Sequence, residues 1–205
     1  SRGLGDVYKR QVISTLSERN KAANDRKPSI LEAPSMFQVA RIVSQTLAEV
    51  IGITSPDEQA SESTFSATFI LGGQVKGGDM RLYLIYPEGN FIEVSEENPF
   101  FQIGETKYGR PILVRAFDPE MSVEAATKLL MVSFDSTIKA NLSVGLPLDI
   151  HVYEKDSLNS ARKGVVDTNN AYYRMISGKW AESLKNSLAA LPELNFETDI
   201  STKGD

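Results

Sequence analysis

Predicted helices and strands come in groups along this chain instead of alternating, and this order restricts the fold more than any other feature. Two helices come first, with apolar periods that start at Val12 and at Pro34. A run of strands follows between Thr64 and Val94, and two more helices lie between Lys107 and Ala140. Alternating helices and strands would indicate a parallel sheet, whereas grouped elements indicate antiparallel sheets covered by helices. The sequence therefore predicts an α+β fold.

The strand run has the pattern of an antiparallel meander. Its predicted strands are Thr64–Leu71, Met80–Tyr86 and Asn90–Val94. The last two are joined across Pro87-Glu88-Gly89, which is a strong turn signal. Both faces of Met80–Tyr86 are apolar, so we expect this strand to be covered on both sides.

The remaining elements complete one domain. Helices are predicted at about 34–52, 107–116, 122–140 and 170–191, and strands at 147–153 and 163–166. The chain of 205 residues is long enough for one sizeable core and short for two. We expect a loose tail after about Pro192.

The first eleven residues, SRGLGDVYKRQ, differ from the rest of the chain. They show no amphipathic period and join abruptly to the helical pattern that starts at Val12. The string resembles a translated sequencing adapter, so we interpret residues 1–11 as a non-native leader and residues 12–205 as the domain. A flexible native tail is the alternative.

Composition excludes several classes of function. The chain has no cysteine and one histidine, His151, which excludes thiolate nucleophiles and any multi-histidine metal site within one chain. We expect no metal and no cofactor. The net charge is -5 without a basic cluster, so we expect no nucleic-acid partner. No apolar run is long enough for a membrane span, and we expect a cytoplasmic protein.

Four long, non-repetitive segments resemble one family closely. They are FILGGQ, YPEGNFIE, FFQIGETKYGRPIL and DSTIKANLSVGLPLDI. They are similar to the Anbu (ancestral β-subunit) group of bacterial proteasome β-subunit homologues, and the similarity extends from about Val12 to Trp180. The chain is thus identified as a member of that family from its sequence.

The resemblance implies an N-terminal-nucleophile hydrolase fold, a four-layer αββα sandwich of two antiparallel sheets between helix pairs. It also implies a proteasome-type peptidase subunit that acts on peptides or proteins as a homo-oligomer. In such enzymes the first residue, Thr or Ser, attacks the peptide carbonyl while its α-amino group acts as base. The nucleophile and the Asp and Lys that tune it have no matching positions here, so we expect a fold incomplete at the N-terminus.

Ser1 supplies a hydroxyl and a free amine at the first position. Gly3, Gly5 and Asp6 follow it where β-forming residues are expected, so we assign it no catalytic role. No catalytic residue is therefore assigned in this sequence, and the chain expressed as written is expected to be inactive.

Two segments are expected to border the cleft, by analogy with related peptidases. Gly104, Glu105 and Thr106 are expected at the start of a helix, where backbone N–H groups could stabilise an oxyanion. A helix cap is the alternative. Asn141, Ser143 and Gly145 lie where proteasome subunits carry a supporting Asp and Ser, with Asn in place of the acid. Here the alternative is that Gly145 only ends a helix.

Other polar residues are interpreted as structural. Asp135-Ser136-Thr137 is interpreted as a solvated helix face, and a polar site at a buried layer or subunit contact is the alternative. Leu130, Phe134 and Ile138 are expected to pack against a partner helix. The competing functions are a non-catalytic ring subunit of the same fold and an amidase of the same class. An upstream Thr or Ser that opens a strand would favour the peptidase, and an N-terminal helix extension would favour the ring subunit. Fold alone does not choose between these chemistries.

Overall fold

The protein is described from a computed structural model, which places residues 4–21, 27–54, 67–159, 162–196, 198 and 200. Within these residues lie five α-helices, a short 3-10 helix at Ile30–Glu32 and five strands. The helices are α1 (Leu4–Lys21), α2 (Met36–Thr54), α3 (Arg110–Ala116), α4 (Val123–Ala140) and α5 (Ala171–Ala189). The strands are β1 (Phe69–Gly73), β2 (Arg81–Ile85), β3 (Phe91–Glu93), β4 (Leu148–Val152) and β5 (Arg162–Val166). The α+β prediction is confirmed.

The chain divides into two compact units, which are described separately. The first unit comprises Ser1–Thr106 and Ile150–Gly164, and the second comprises Lys107–Asp149 and Val165–Asp205. Strands β4 and β5 pair in a two-stranded sheet, and the division falls within both strands. The single domain expected over residues 12–205 stays a prediction.

Strands β1, β2 and β3 form the predicted antiparallel meander, with β2 in the centre. The register pairs Ile85 with Phe69 on one side and with Phe91 on the other. The turn between β2 and β3 contains Gly89 at φ 87°, a left-handed conformation that favours glycine. The first three residues of the predicted first strand, 64–66, lie outside the described residues.

Helices α1 and α2 cover one face of the meander. The buried stripe of α2 includes Val43 and Leu47, and the meander contributes Tyr83 and Ile85 to the same core. The opposite face carries Ile70, Leu84 and Ile92 in register. Leu84 is half-buried, whereas Ile70 and Ile92 are 39% and 45% exposed, so the cover expected on the second face is partial.

Helix α1 begins at Leu4, eight residues before the predicted start at Val12. Tyr8, Val12 and Leu16 recur every four residues and are all buried in the core of the first unit. The helical period therefore extends into the segment interpreted as a leader. The origin of residues 1–11 stays a prediction.

Helices α3, α4 and α5 form the second unit. Ser122 caps α4 by accepting a hydrogen bond from the Ala125 N–H at 3.1 Å, and Asn170 caps α5 by accepting one from the Tyr173 N–H at 2.9 Å. Such caps satisfy backbone donors that the first helical turn leaves without partners. Pro111 stands in the first turn of α3, where proline costs no hydrogen bond.

Within the described residues, no helix is both long and apolar enough to cross a membrane.

Candidate functional site

Gly104 lies in an open bend of the first unit. Its φ is +80°, its surface is exposed, and no atom lies within 4 Å of the position that a Cβ would take. Helix α3 begins only at Arg110, with Gly109 as its N-cap. The expectation that Gly104, Glu105 and Thr106 start a helix was therefore wrong, because a turn at 107–109 intervenes and Pro111 fixes the helix start. What remains is an open bend whose backbone is accessible.

Asn141 and Ser143 form a hydrogen-bonded turn at the end of α4. Asn141 is the C-cap, and its N–H donates to the Thr137 carbonyl at 2.9 Å. Its Oδ1 accepts from the Ser143 N–H at 2.9 Å and from the Ser143 hydroxyl at 2.7 Å. An amide oxygen accepts a hydrogen bond without taking the proton, so Asn141 orients Ser143 but cannot act as its base.

Gly145 lies just after this turn and is exposed, with open space around the position of a Cβ. Helix α4 has already ended at Ala140, so Gly145 does not supply the helix stop. The structure thus brings Asn141 and Ser143 into contact. Gly104, Glu105 and Thr106 belong to the first unit and Asn141, Ser143 and Gly145 to the second.

A buried polar cluster lies between α4 and α5 in the second unit. The Tyr173 hydroxyl donates to Asp135 Oδ1 at 3.2 Å, and the Lys139 ammonium pairs with Asp135 Oδ2 at 2.9 Å. Lys139 also donates to the Ser177 hydroxyl at 2.8 Å. The side chain of Asp135 is 4% exposed, and a buried carboxylate needs such partners because burial removes its hydration.

Burial is the main cause that raises the pKa of Tyr173, to about 12, and the negative charge and hydrogen bond of Asp135 add to it. The phenol therefore stays protonated and remains a hydrogen-bond donor at any physiological pH. A group that holds its proton this firmly does not serve as a general base near neutrality. The cluster is therefore better suited to holding α4 and α5 together than to acid–base catalysis.

Gly109 allows α3 and α4 to approach closely. A Cβ at this position would lie 2.3 Å from Ser133 Oγ, 2.9 Å from Thr137 Oγ1 and 3.0 Å from the Ser133 carbonyl oxygen. The two α4 side chains are themselves buried, and Thr137 Oγ1 donates to the Ser133 carbonyl at 3.0 Å. Glycine is required here by space and not by backbone conformation, since its φ is -90°.

A surface pocket of the first unit lies beside the start of α2 and is lined by Phe37, Arg81 and Glu93, among others. Arg81 is held by Glu93 at 2.8 Å and by Asp79 at 3.2 Å. Its hydrogen bond to Glu93 raises the pKa of Arg81 above the ordinary range of arginine. Because two carboxylates already neutralise this cation, the pocket presents no excess positive charge for an anion.

Similarity to known proteins is found among solved structures, whereas no protein-family model and no curated protein matches the chain. Anbu from Hyphomicrobium sp. strain MC1 is 37% identical over 95% of this chain and 79% of that chain, with a TM-score of 0.83. The chain belongs to the Anbu family. Anbu (ancestral beta-subunit) from Yersinia bercovieri is 35% identical over 92% and 77% of the two chains, with a TM-score of 0.82.

The helical assembly of the Anbu complex from Pseudomonas aeruginosa is similar as well. Its chain is 38% identical over 94% of this Anbu chain and 78% of its own length, with a TM-score of 0.83. The family assignment made from the four sequence segments is thereby confirmed. The roles of Gly104, Glu105, Thr106, Asn141, Ser143 and Gly145 remain predictions.

For residues 135–137 of this Anbu chain, the sequence analysis preferred a solvated helix face to a buried polar site. Asp135 and Thr137 are each 3% exposed, so the solvated face predicted for this segment was wrong. Leu130, Phe134 and Ile138 were expected to pack against a partner helix; Leu130 and Phe134 are 48% and 44% exposed, and Ile138 is half-buried. The spacing of Asp135 and Lys139 indicates an ion pair between neighbouring turns of one helix, but it does not indicate burial, because such pairs also form on exposed helix faces.

Proposed function

We propose that this Anbu chain is a subunit of a proteasome-type peptidase that hydrolyses peptide bonds with an N-terminal Thr or Ser nucleophile. The observation that carries the proposal is similarity to Anbu structures over as much as 95% of the chain, among them one described as an ancestral beta-subunit. The proposed architecture is the αββα sandwich of the N-terminal-nucleophile hydrolases. The antiparallel meander covered on one face by α1 and α2 is consistent with one sheet and one helix layer of it.

The proposed chemistry needs neither histidine nor cysteine. A free α-amino group has a pKa of about 7.7 to 8.0, so it can accept the proton of the attacking hydroxyl near neutral pH. This chain contains one histidine and no cysteine, which is compatible with that mechanism. The hydroxyl adds to the carbonyl, an oxyanion forms, and the amine leaves with the transferred proton, so that the acyl group stays on the hydroxyl oxygen as an ester. Water then attacks the ester, releases the carboxylic acid and restores the hydroxyl.

The open bend at Gly104 is proposed to border the substrate. Its exposed, left-handed backbone leaves room for a peptide main chain to approach, and the N–H groups of Glu105 and Thr106 are proposed as donors to the substrate or its oxyanion. The turn that Asn141 and Ser143 form is proposed to support the nucleophile, with Gly145 completing the loop.

Homo-oligomeric assembly is proposed together with this function. The Pseudomonas aeruginosa Anbu complex forms a helical assembly, and a chain 38% identical over most of its length is expected to associate with copies of itself. Sedimentation velocity at micromolar concentration tests this, because a species that remains monomeric would contradict it. We propose a cytoplasmic protein that acts on peptides or proteins and not on nucleic acids or membranes.

Peptide hydrolysis by the product of the complete gene tests the proposal. Gly104→Ala forces a Cβ into the left-handed region and adds a methyl group in the bend. We expect kcat/KM for a fluorogenic peptide to fall at least about tenfold, since loss of one oxyanion donor alone costs roughly a hundredfold or more.

Gly77→Ala is the matched control. Gly77 also has φ +80° and open space around the Cβ position, it lies in the same unit, and it is assigned no role in the site. Gly77→Ala introduces the same backbone strain as Gly104→Ala, but at a position without a role in the site. Its kcat/KM should therefore stay within about twofold of the unaltered protein. Equal losses of kcat/KM in the two variants would contradict the role proposed for Gly104. If the unaltered protein hydrolysed no peptide, the peptidase proposal would be wrong.

A further inference from the structure

The loop between β4 and β5 adopts a backbone that side chains usually avoid. Asp156 has φ 63° and Leu158 has φ 49°, and both lie in the first unit. Aspartate tolerates the left-handed region, whereas leucine rarely adopts it because its Cβ approaches the following carbonyl oxygen. Among residues 154–159, the Ser157 N–H donates to the Glu154 carbonyl at 3.1 Å, the Ser157 hydroxyl donates to the Asn159 carbonyl at 2.7 Å, and the Asn159 N–H donates to the Ser157 hydroxyl at 3.3 Å.

In the described part of the chain, two side chains from outside the loop contact it: Arg162 of β5 pairs with Glu154 at 3.1 Å, and Gln74 binds Asp156. The Gln74 amide nitrogen donates to Asp156 Oδ1 and to the Gly78 carbonyl, each at 2.7 Å. Its Oε1 accepts from the Asp156 N–H at 2.8 Å and from the Tyr153 hydroxyl at 3.1 Å. A side-chain amide offers two donors and two acceptor sites, so all four are used. If the amide were rotated by half a turn, its nitrogen would face the Asp156 N–H and its oxygen would face Asp156 Oδ1 and the Gly78 carbonyl, so these three hydrogen bonds would be lost.

The Gln74 end of this contact is itself fixed. Gln74 directly follows β1, and the next residues close a turn in which the Gly78 N–H donates to the Val75 carbonyl at 2.8 Å. Gly77 in that turn has φ +80°. The amide therefore joins a rigid turn at the end of the meander to a loop 82 residues away in sequence, and it binds Asp156 through both its side chain and its backbone.

We propose that Gln74 is a latch that fixes the conformation of the Glu154–Asn159 loop. When the latch is closed, Asp156 is held in the left-handed region and Leu158 stays on the surface, where it is 48% exposed. When the Gln74 amide is lost, the loop relaxes to backbone angles that leucine prefers. The latch is local, because its bonds reach only the 74–78 turn, the loop and Tyr153, which directly precedes the loop.

Hydrogen exchange in the full chain tests the latch, with protection factors read at the Asp156 N–H. Gln74→Glu keeps the shape of the side chain but places a second carboxylate against that of Asp156. The two negative charges repel each other, so the contact between residue 74 and the loop should be lost. Protection at Asp156 should fall at least about tenfold, the size expected when a charge-assisted hydrogen bond is lost. Tyr83 and Ile85 of β2 are the internal control, because a local latch leaves their protection unchanged.

Exchanging the two groups supplies the decisive comparison. In the double variant Gln74→Glu/Asp156→Asn the carboxylate and the amide change places, so a donor again faces an acceptor between residues 74 and 156, and asparagine tolerates φ 63°. The Gly78 carbonyl stays without the donor that Gln74 supplies, so the double variant restores the contact with the loop and not the one with the turn. Protection at position 156 should return to within about threefold of the unaltered protein, as a direct pair interaction requires. A double variant as unprotected as Gln74→Glu would overturn the latch.

Gln74→Ala removes the four hydrogen bonds without adding a charge. This variant can test the proposal even if Gln74→Glu does not fold. Undiminished protection at Asp156 in this variant would overturn the proposal. Loss of protection throughout β2 in both single variants would overturn it as well, because Gln74 would then determine the fold of the unit and not the state of one loop.

Discussion

Gly109 lies against Ser133 and Thr137 with no room for a side chain. The hydroxyl of Ser133 can rotate away from an added methyl group, but its carbonyl oxygen, 3.0 Å from the Cβ position, belongs to the α4 backbone. Gly109→Ala should therefore force α3 and α4 apart and lower the free energy of unfolding of the second unit by about 1 to 3 kcal/mol.

Trp180, the single tryptophan of the chain, belongs to the second unit, so its fluorescence in a urea titration reports on that unit. Gly178→Ala is the matched control, because Gly178 is exposed within α5 and no atom lies within 4 Å of its Cβ position. It should raise the free energy of unfolding by up to about 1 kcal/mol through helix propensity. Equal midpoints for the two variants would contradict the packing described for Gly109.

Tyr173 gives the second unit a dependence on alkaline pH. Its pKa is raised to about 12 in the folded protein, mainly by burial, whereas an unfolded tyrosine titrates near 10. The folded state thus holds the proton more firmly, so this stabilisation is complete below about pH 10 and is lost as pH rises towards 12.

Tyr173→Phe removes the titrating group and also the hydrogen bond to Asp135. The unaltered protein should be more stable than this variant below about pH 10, and the difference should shrink between pH 10 and 12. Urea midpoints of both proteins across that range check the sign. A difference that stays constant or grows with pH would show that Tyr173 ionises at least as readily in the folded state as in the unfolded one.

At the scale of elements, local patterns predicted most of the fold. The turn at Pro87-Glu88-Gly89 defined the boundary between β2 and β3, and the apolar period of α2 identified its buried face. These features depend on neighbouring residues, which a sequence shows directly. The start of α1 was misplaced because the polar residues between Leu4 and Val12 conceal the period that Tyr8 continues.

The burial of Asp135 could not be predicted locally. Its partner Tyr173 lies 38 residues away on α5, and nothing in α4 alone shows that another helix supplies a donor there. The same limit applies to Gln74, which meets Asp156 across 82 residues. The glycine of Gly104 indicated a special backbone position, but the predicted helix start was wrong because α3 begins beside Pro111 and not at the glycine.

The two sheets should differ in local stability. The amides of β2 lie between two strands, whereas β4 and β5 form a sheet of two strands, and isolated pairs are marginal in water. Tyr83 and Ile85 are buried, while Ile150 and Val152 are only half-buried. Hydrogen exchange should be at least about tenfold slower at Tyr83 and Ile85 than at Ile150 and Val152. Equal protection would mean that β4 is stabilised by more than its pairing with β5.

At the scale of the whole molecule, the proposed function rests on membership of the Anbu family. Similarity to Anbu structures covers at least 92% of this chain in the three comparisons described, so it includes both compact units. Fold membership alone does not fix chemistry, however, because one architecture can support different reactions. The central claim is therefore the proposed nucleophile, a first residue whose hydroxyl and α-amino group act together.

A peptide epoxyketone tests that claim most directly. Its ketone accepts a hydroxyl and its epoxide is opened by an amine, so a stable ring forms only where one residue offers both groups. The product of the complete gene should be incubated with this inhibitor and digested, and the adduct located by mass spectrometry. We expect one inhibitor per chain, bound to the hydroxyl and the α-amino group of an N-terminal Thr or Ser. An unmodified chain, or an adduct on an internal residue, would contradict it.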